Sequence, residues 1–341
     1  MKTEDPNGPW PYMIFRRRFC PTLIVAALVW SPVVAHADLA EESALCRDAT
    51  AHPDVRVGAC THLIRWGDHS DKSLAAAFHA RGLAYDALGE SKNAISDFSE
   101  AIRLNPGNAV AYNNRANTYA TLGAFDRALA DFAESLRLDP EDASTFNNRG
   151  TVYQKLANYR RALAHYDEAI RLDPGLMLAH NNRCVAHRSL GEFVKALTDC
   201  TRAIEMQPTY WRAWMNRGIL HYLMESYAEA AEDYQAAIRL EPLNAVPLNA
   251  LAWLRATAPE QSVRDGVEAT RLAERAVQLG DTAQHRDTLA AAYAEAGQYP
   301  RAVKEEERAI ALSRESGRQE TVAGFRKRLE LYRRGQPFRQ R

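Results

Sequence analysis

The chain has 341 residues, 46% of them hydrophobic and 25% charged, with 43 basic side chains against 43 acidic ones. A zero balance excludes a general electrostatic attraction to nucleic acid. The lack of any long polar or Gly/Ser-rich stretch excludes a flexible interdomain linker and leaves one continuous array as the simplest organisation.

Residues 1–37 read as an export signal. Arg16, Arg17 and Arg18 precede an apolar stretch from Phe19 to Trp30, and Ala35-His36-Ala37 supplies the small-x-small cleavage pattern, so the mature chain is expected to start at Asp38. The apolar run is short for a membrane span; an uncleaved tether is the alternative. Arg16-Arg17-Arg18-Phe19 loosely resembles a twin-arginine signal beside the ordinary secretory reading, and Met13 competes with Met1 as the start. Cleavage leaves 39 basic against 41 acidic residues. The expected location is exported, in the periplasm.

Residues 38–74 follow as an N-terminal helical hairpin carrying Cys46 and Cys60. A strict repeat then begins. Pro106, Pro140, Pro174, Pro208 and Pro242 stand 34 residues apart, and blocks counted from residue 75 agree in residue type as well as spacing. The fourth place holds Phe78, Tyr112, Phe146, His180 and Trp214; the eighth is small (Gly82, Ala116, Gly150, Cys184, Gly218); the twentieth is always alanine (Ala94, Ala128, Ala162, Ala196, Ala230). The twenty-fourth holds Phe98, Phe132, Tyr166, Cys200 and Tyr234. Apolar residues recur at helical spacing on either side of breaks such as Leu122-Gly123 and Leu190-Gly191, which predicts two helices per block. Small residues let the two helices approach, aromatics fill the gap between hairpins, and proline ends the second helix.

Residues 245–316 hold two divergent repeats. Helical runs are predicted over Leu248–Thr257 and Arg264–Leu279, with a turn at Ala258-Pro259-Glu260 and a four-residue excess that breaks the period. The block 283–316 returns to phase, except that Glu306 takes the aromatic's place and Arg314 the proline's. Residues 317–341 contain a run with Val322, Phe325, Leu329 and Tyr332 on one stripe, predicted to be a capping helix, and a basic tail. The tail's charge suits either an anionic surface or plain solvent.

Export would leave four cysteines in two local pairs. Cys184 and Cys200 occupy the eighth and twenty-fourth places of one hairpin, and Cys60-Thr61-His62-Leu63-Ile64 echoes Cys200-Thr201-Arg202-Ala203-Ile204. Disulfides Cys46–Cys60 and Cys184–Cys200 are therefore expected, with two pairs of buried free thiols as the alternative. His180, Cys184 and His187 have spacing compatible with a metal, but their places belong to core aromatics in other blocks, so no metal or other cofactor is expected.

The pattern of bulky residue, small contact sites, aromatic and closing proline resembles the tetratricopeptide repeat family, strongly over 75–244, moderately over 245–316 and as a hairpin remnant over 41–74. The Tyr-Asn-Asn-Arg run and the cysteine-bearing leading hairpin look like exported alphaproteobacterial members. The resemblance implies an all-α fold, a right-handed superhelical solenoid of helix hairpins closed by the capping helix. It also implies that first helices line a concave groove whose second, fifth, sixth, ninth, twelfth and thirteenth places face a peptide. On this chain those places include Asn113, Asn114, Asn117, Asn147, Asn148, Gln154, Lys155, Asn181, Asn182, Arg188, Arg212, Asn216 and Tyr222. Asparagine suits an extended backbone because its amide both donates and accepts; the Asn-Arg pair at places six and seven equally suits packing between hairpins. Trp211 is one aromatic more than the fold requires and is read as a staple between hairpins.

No nucleophile-base motif, phosphate-cradling glycine loop or dinucleotide fingerprint is present. The expectation is a non-catalytic scaffold or adaptor of the cell envelope that binds a protein or extended peptide, with no small-molecule substrate. Membrane contact would come only through the signal segment or the basic tail. A self-assembling structural component is the alternative, ahead of an enzyme.

Overall fold

The computed structural model describes residues 32–340, with side chains described from Leu39 onward. The expected signal falls mostly outside that range; the backbone at its cleavage site lies in the first turns of helix α1 (Pro32–Arg47). Among the described residues there are seventeen helices and no strand. None of these helices is long and apolar enough to cross a membrane.

Helix α1 pairs with α2 (Pro53–Trp66) as the leading hairpin. The five strict blocks follow as α3 (Asp71–Ala87) with α4 (Ser91–Leu104), α5 (Ala109–Thr121) with α6 (Phe125–Leu138), α7 (Ala143–Lys155) with α8 (Tyr159–Leu172), α9 (Met177–Ser189) with α10 (Phe193–Met206), and α11 (Trp211–Leu223) with α12 (Tyr227–Leu240). Helix α3 starts a turn earlier than the repeat frame. Ser70 caps it by accepting from the Ser73 N–H, and that local bond sets the start.

The repeat chemistry is visible in every hairpin. All five twentieth-place alanines have no exposed surface. At the eighth place, a β-carbon on Gly82, Gly150 or Gly218 would lie 2.6–2.7 Å from the ring of Phe98, Tyr166 or Tyr234, so glycine is what allows the aromatic to lie across the helix. In the fourth block the same two places form a disulfide, Cys184–Cys200, with sulfurs 1.96 Å apart. Its counterpart Cys46–Cys60, at 2.04 Å, joins α1 to α2. Between the two helices of each of the five strict blocks one residue takes the left-handed conformation. Gly89, Gly123 and Gly191 do so freely, while Ala157 (φ 55°) and Glu225 (φ 62°) do so against a steric cost.

The divergent region folds as α13 (Ala245–Thr257) with α14 (Gly266–Leu279), then α15 (Ala283–Glu295) with α16 (Tyr299–Glu315). Asp265 caps α14 through the N–H groups of Val267 and Glu268, and Arg264 ties the inserted turn by donating to the carbonyls of Ala258 and Pro259. Helix α17 (Gln319–Arg333) closes the array, and its predicted stripe of Val322, Phe325, Leu329 and Tyr332 is buried. First helices touch the next block's first helix (α3 with α5, α5 with α7, α7 with α9, α9 with α11, α13 with α15). Second helices have no such contact among the substantial ones, which puts the first helices on the inner wall.

Candidate functional site

On the inner wall, the sixth-place asparagine of the second to fifth blocks meets the fifth-place residue one block earlier through its side-chain nitrogen. Asn216 donates to Asn181 (2.9 Å), Asn182 to Asn147 (2.9 Å) and Asn148 to Asn113 (3.2 Å), while Asn114 meets His79 (2.9 Å). Within a helix, Asn181 donates to Asn182 and Asn147 to Asn148, and Arg188 donates to the oxygen of Asn216. These bonds join into one directed chain from Arg188 through Asn216, Asn181, Asn182, Asn147 and Asn148 to Asn113. Asn147 and Asn181 are buried by this packing, whereas Asn113, Asn114, Asn148, Asn182 and Asn216 stay half-buried. The amides therefore hold adjacent first helices together. Asn182 spends its second N–H on the Thr151 hydroxyl (3.5 Å), while the amides of Asn147, Asn148, Asn181 and Asn216 each keep one N–H beyond the one used here.

The remaining candidates flank that row. Lys155 and Arg212 are exposed, and Asn117, Gln154, Arg188 and Tyr222 are half-buried. Gln154 accepts from the Tyr166 hydroxyl (3.2 Å), and Arg212 lies over the Trp211 ring at 5.3 Å. Burial lowers the Arg188 guanidinium from its usual value and raises the Tyr222 phenol. Trp211 is half-buried against the apolar core that α11 and α12 share with the later helices, and Trp214 donates to the Pro208 carbonyl at 2.9 Å. His180 and His187 each face a carboxylate, Asp199 and Glu192 respectively, and Cys184 is spent in its disulfide.

One set of paired residues escaped the reading of the sequence. The seventh-place arginine forms a two-pronged ion pair with the aspartate 16 residues on: Arg81–Asp97, Arg115–Asp131, Arg183–Asp199 and Arg217–Asp233, at 2.6–2.8 Å. The remaining Nη1 of each guanidinium reaches back to Thr61, Ser99, Asp167 or Thr201 of the preceding hairpin. The third block lacks both acceptors, since His165 and Ala133 stand in their places. Arg149 Nε is left buried without a partner. His165 instead stacks on Tyr153 at 5.1 Å, and burial together with Arg149 pushes its imidazole down to about 4. Restoring the pair with His165→Asp is expected to raise unfolding free energy by about 1 kcal/mol in urea titration. A loss of stability would show that the Tyr153 stack matters more than the missing acceptor.

At the C-terminal end the inner wall closes into a hollow of about 1180 Å³ lined by Tyr222, Asn249, Trp253, Asp287 and Arg328. Behind it lies a buried charge cluster. Arg328 Nε sits 2.6 Å from Asp287 and 3.7 Å from Glu306, whose side chain has no exposed surface. Burial and then the neighbouring Asp287 carboxylate push Glu306 up to about 10. The cluster therefore holds a neutral acid beside an Asp287–Arg328 ion pair. The arginines of the basic tail are partly engaged within the chain: Arg328 with Asp287, Arg333 with Glu307 and Glu330, and Arg339 with Glu295.

Tetratricopeptide repeat models match residues 109–142, 143–176, 178–210 and 211–244, and further models of the same repeat match 75–108 and 282–316. The chain belongs to the tetratricopeptide repeat family. No curated protein matches it over its sequence. Three solved structures share the fold. One chain of the APC/C hetero-tetramer Cut9–Hcn1 is 16% identical with a TM-score of 0.60, covering 74% of this chain and 52% of that one, so the chain spans about half of that relative. Pseudomonas aeruginosa PilF is 18% identical with a TM-score of 0.56, covering 63% of this chain and 96% of PilF. A tetratricopeptide repeat protein from Parabacteroides merdae is 15% identical with a TM-score of 0.53, covering 87% and 98% of the two chains. At these identities the likeness is one of fold. Tetratricopeptide arrays are protein–protein interaction scaffolds, typically non-catalytic, and bind peptides or other proteins.

Proposed function

We propose that the protein is an exported adaptor of the cell envelope that grips an extended peptide, or an extended segment of a partner protein, along its first helices. The observation that carries this reading is the inner row of amides, bonded to one another in one direction and flanked by the exposed cations Lys155 and Arg212. An extended backbone needs alternating donors and acceptors, and the amides of Asn147, Asn148, Asn181 and Asn216 each retain an N–H for one more bond. Export is supported by the N-terminal charge and apolar pattern, and two paired disulfides suit an oxidising compartment.

The test leaves the amide row intact, because it also holds the helices together. Gln154→Ala, Lys155→Ala and Arg212→Ala combined in one chain are expected to reduce capture of partners from envelope extract at least tenfold with helical content unchanged. Unaltered capture would remove the groove from the account. Fractionation of the native host checks location: protein recovered from the cytoplasm with residues 1–37 intact would contradict export.

A further inference from the structure

Beyond α17 the chain turns at Gly335, which takes the left-handed conformation (φ 67°), and runs back across the ends of α13 and α15. The Phe338 ring lies 5.9 Å from that of Trp253, and Arg328 stands over both rings at 5.4 and 5.5 Å. Gln340 donates its backbone N–H to the Thr257 carbonyl at 3.0 Å. Arg339 donates to the Ala256 carbonyl at 3.4 Å and forms an ion pair with Glu295. In the repeat frame Trp253, Ala256 and Thr257 are the ninth, twelfth and thirteenth places of their first helix, and Glu295 is the thirteenth of the next. These are the places that a ligand would meet in the earlier blocks. Here the chain's own tail meets them.

Two features separate this contact from ordinary packing of a chain end. The tail forms no helix and is only half-buried, held by an aromatic contact, two carbonyls and one partly covered ion pair. Beside it the hollow between α11, α13, α15 and α17 stays open, and the Asn249 side-chain oxygen that lines it is buried with no partner. Asn249 is the fifth-place residue of its block, and in the middle repeats that oxygen accepts from the next block's asparagine. Thr288 stands there instead, so this acceptor is left for a donor from outside, such as a peptide N–H.

We propose that this end of the inner wall is a binding site for an extended peptide bearing an aromatic residue followed by arginine. Residues 337–340 are its tethered occupant, which a partner segment of the same chemistry displaces. Trp253 and Arg328 hold the aromatic ring, Glu295 takes the guanidinium, and the carbonyls of Ala256 and Thr257 take backbone donors. The site rests on the reading of the first helices as a ligand face. A tethered competitor lowers apparent affinity by the fraction of time that the site is free.

The probe is a fluorescein-labelled peptide copying residues 335–340, followed by anisotropy against the full chain and against full-length Phe338→Ala/Arg339→Ala, in which the tail is released. The released variant is expected to bind at least tenfold more tightly than the unaltered chain, and a peptide with alanine for the aromatic is expected to bind neither. Equal binding by both chains, or none by the released variant, overturns the proposal. Should the variant fold poorly, the unaltered chain answers the question through carboxypeptidase digestion of its C-terminus. Excess peptide is expected to speed digestion several-fold, and an unchanged rate overturns it. Light scattering adds one further outcome: peptide binding that merely splits dimers would assign the site to a second copy's tail and overturn the partner reading. Capture through Gln154, Lys155 and Arg212 is measured separately, so either idea can fail while the other stands.

Discussion

Reducing the two disulfides is expected to lower the stability of the chain by about 3 kcal/mol for each bridge, because they close loops of 14 and 16 residues whose unfolded freedom returns on reduction. The effects should be local, since each hairpin of a solenoid is stabilised chiefly by its neighbours. The leading hairpin has a small core of Cys46, Ala59 and Cys60 set against Ala80 of α3, so its amides are expected to exchange first once reductant is added. The fourth block has a remedy in the chain itself. Cys184 and Cys200 occupy the places that Gly150 and Tyr166, or Gly218 and Tyr234, occupy in adjoining blocks. Cys184→Gly/Cys200→Tyr is therefore expected to restore the packing found next door and to leave the middle of the array indifferent to dithiothreitol. Urea titrations with and without reductant decide this. Equal midpoints for the native chain under both conditions would show that the bridges contribute nothing.

The second large effect lies in the closing helix. Arg328→Ala is expected to cost about 3–5 kcal/mol, because it leaves the Asp287 carboxylate buried without its counter-charge next to Glu306. Helix α17 should then separate from α15 before the rest unfolds, seen as an early phase in hydrogen exchange over 319–333. The same cluster makes stability depend on pH with a definite sign. Glu306 has an ordinary value near 4.5 and is pushed up to about 10 by burial, so the unfolded chain loses its proton far more readily than the folded one. Its contribution is complete below about pH 4.5 and declines as pH rises towards 10. Glu306→Gln keeps a donor for Asp287 and removes the proton, so its melting temperature is expected to gain on the unaltered chain steadily from pH 6 to 9. A constant gap across that range would mean that Glu306 is already ionised in the folded state.

The parts of this fold that were legible beforehand are those in which one residue type serves one steric need at every turn of the repeat. The twentieth-place alanines, the glycine-aromatic contacts and the stripe of α17 all lie where apolar periodicity places them. The pairings of Cys46 with Cys60 and of Cys184 with Cys200 were legible for the same reason, since the repeat frame puts the latter two places face to face. The arginine-aspartate pairs were not, although a spacing of 16 residues recurs in four of the five blocks. Buried aspartates paired with largely covered arginines leave no trace in a hydrophobic pattern, and the missing partner at His165 is what makes the rule visible. Glu306 read as an absent aromatic because its partner Arg328 belongs to another hairpin. The returning tail brings Arg339 to Ala256 across 83 residues, a contact that no local pattern encodes.

The amide row on the inner wall carries one more consequence. Arg188, at its head, has protons to give and nothing with which to accept, so it forces the orientation of Asn216 and, through it, of every amide as far as Asn113. No amide between Arg188 and Asn113 can flip without breaking bonds on both sides. Such a strip has a sense, like the grain of a plank. On the proposed reading of this wall as a peptide groove, a polypeptide laid along it would meet the same alternation from only one end, which would let the wall tell N-to-C from C-to-N.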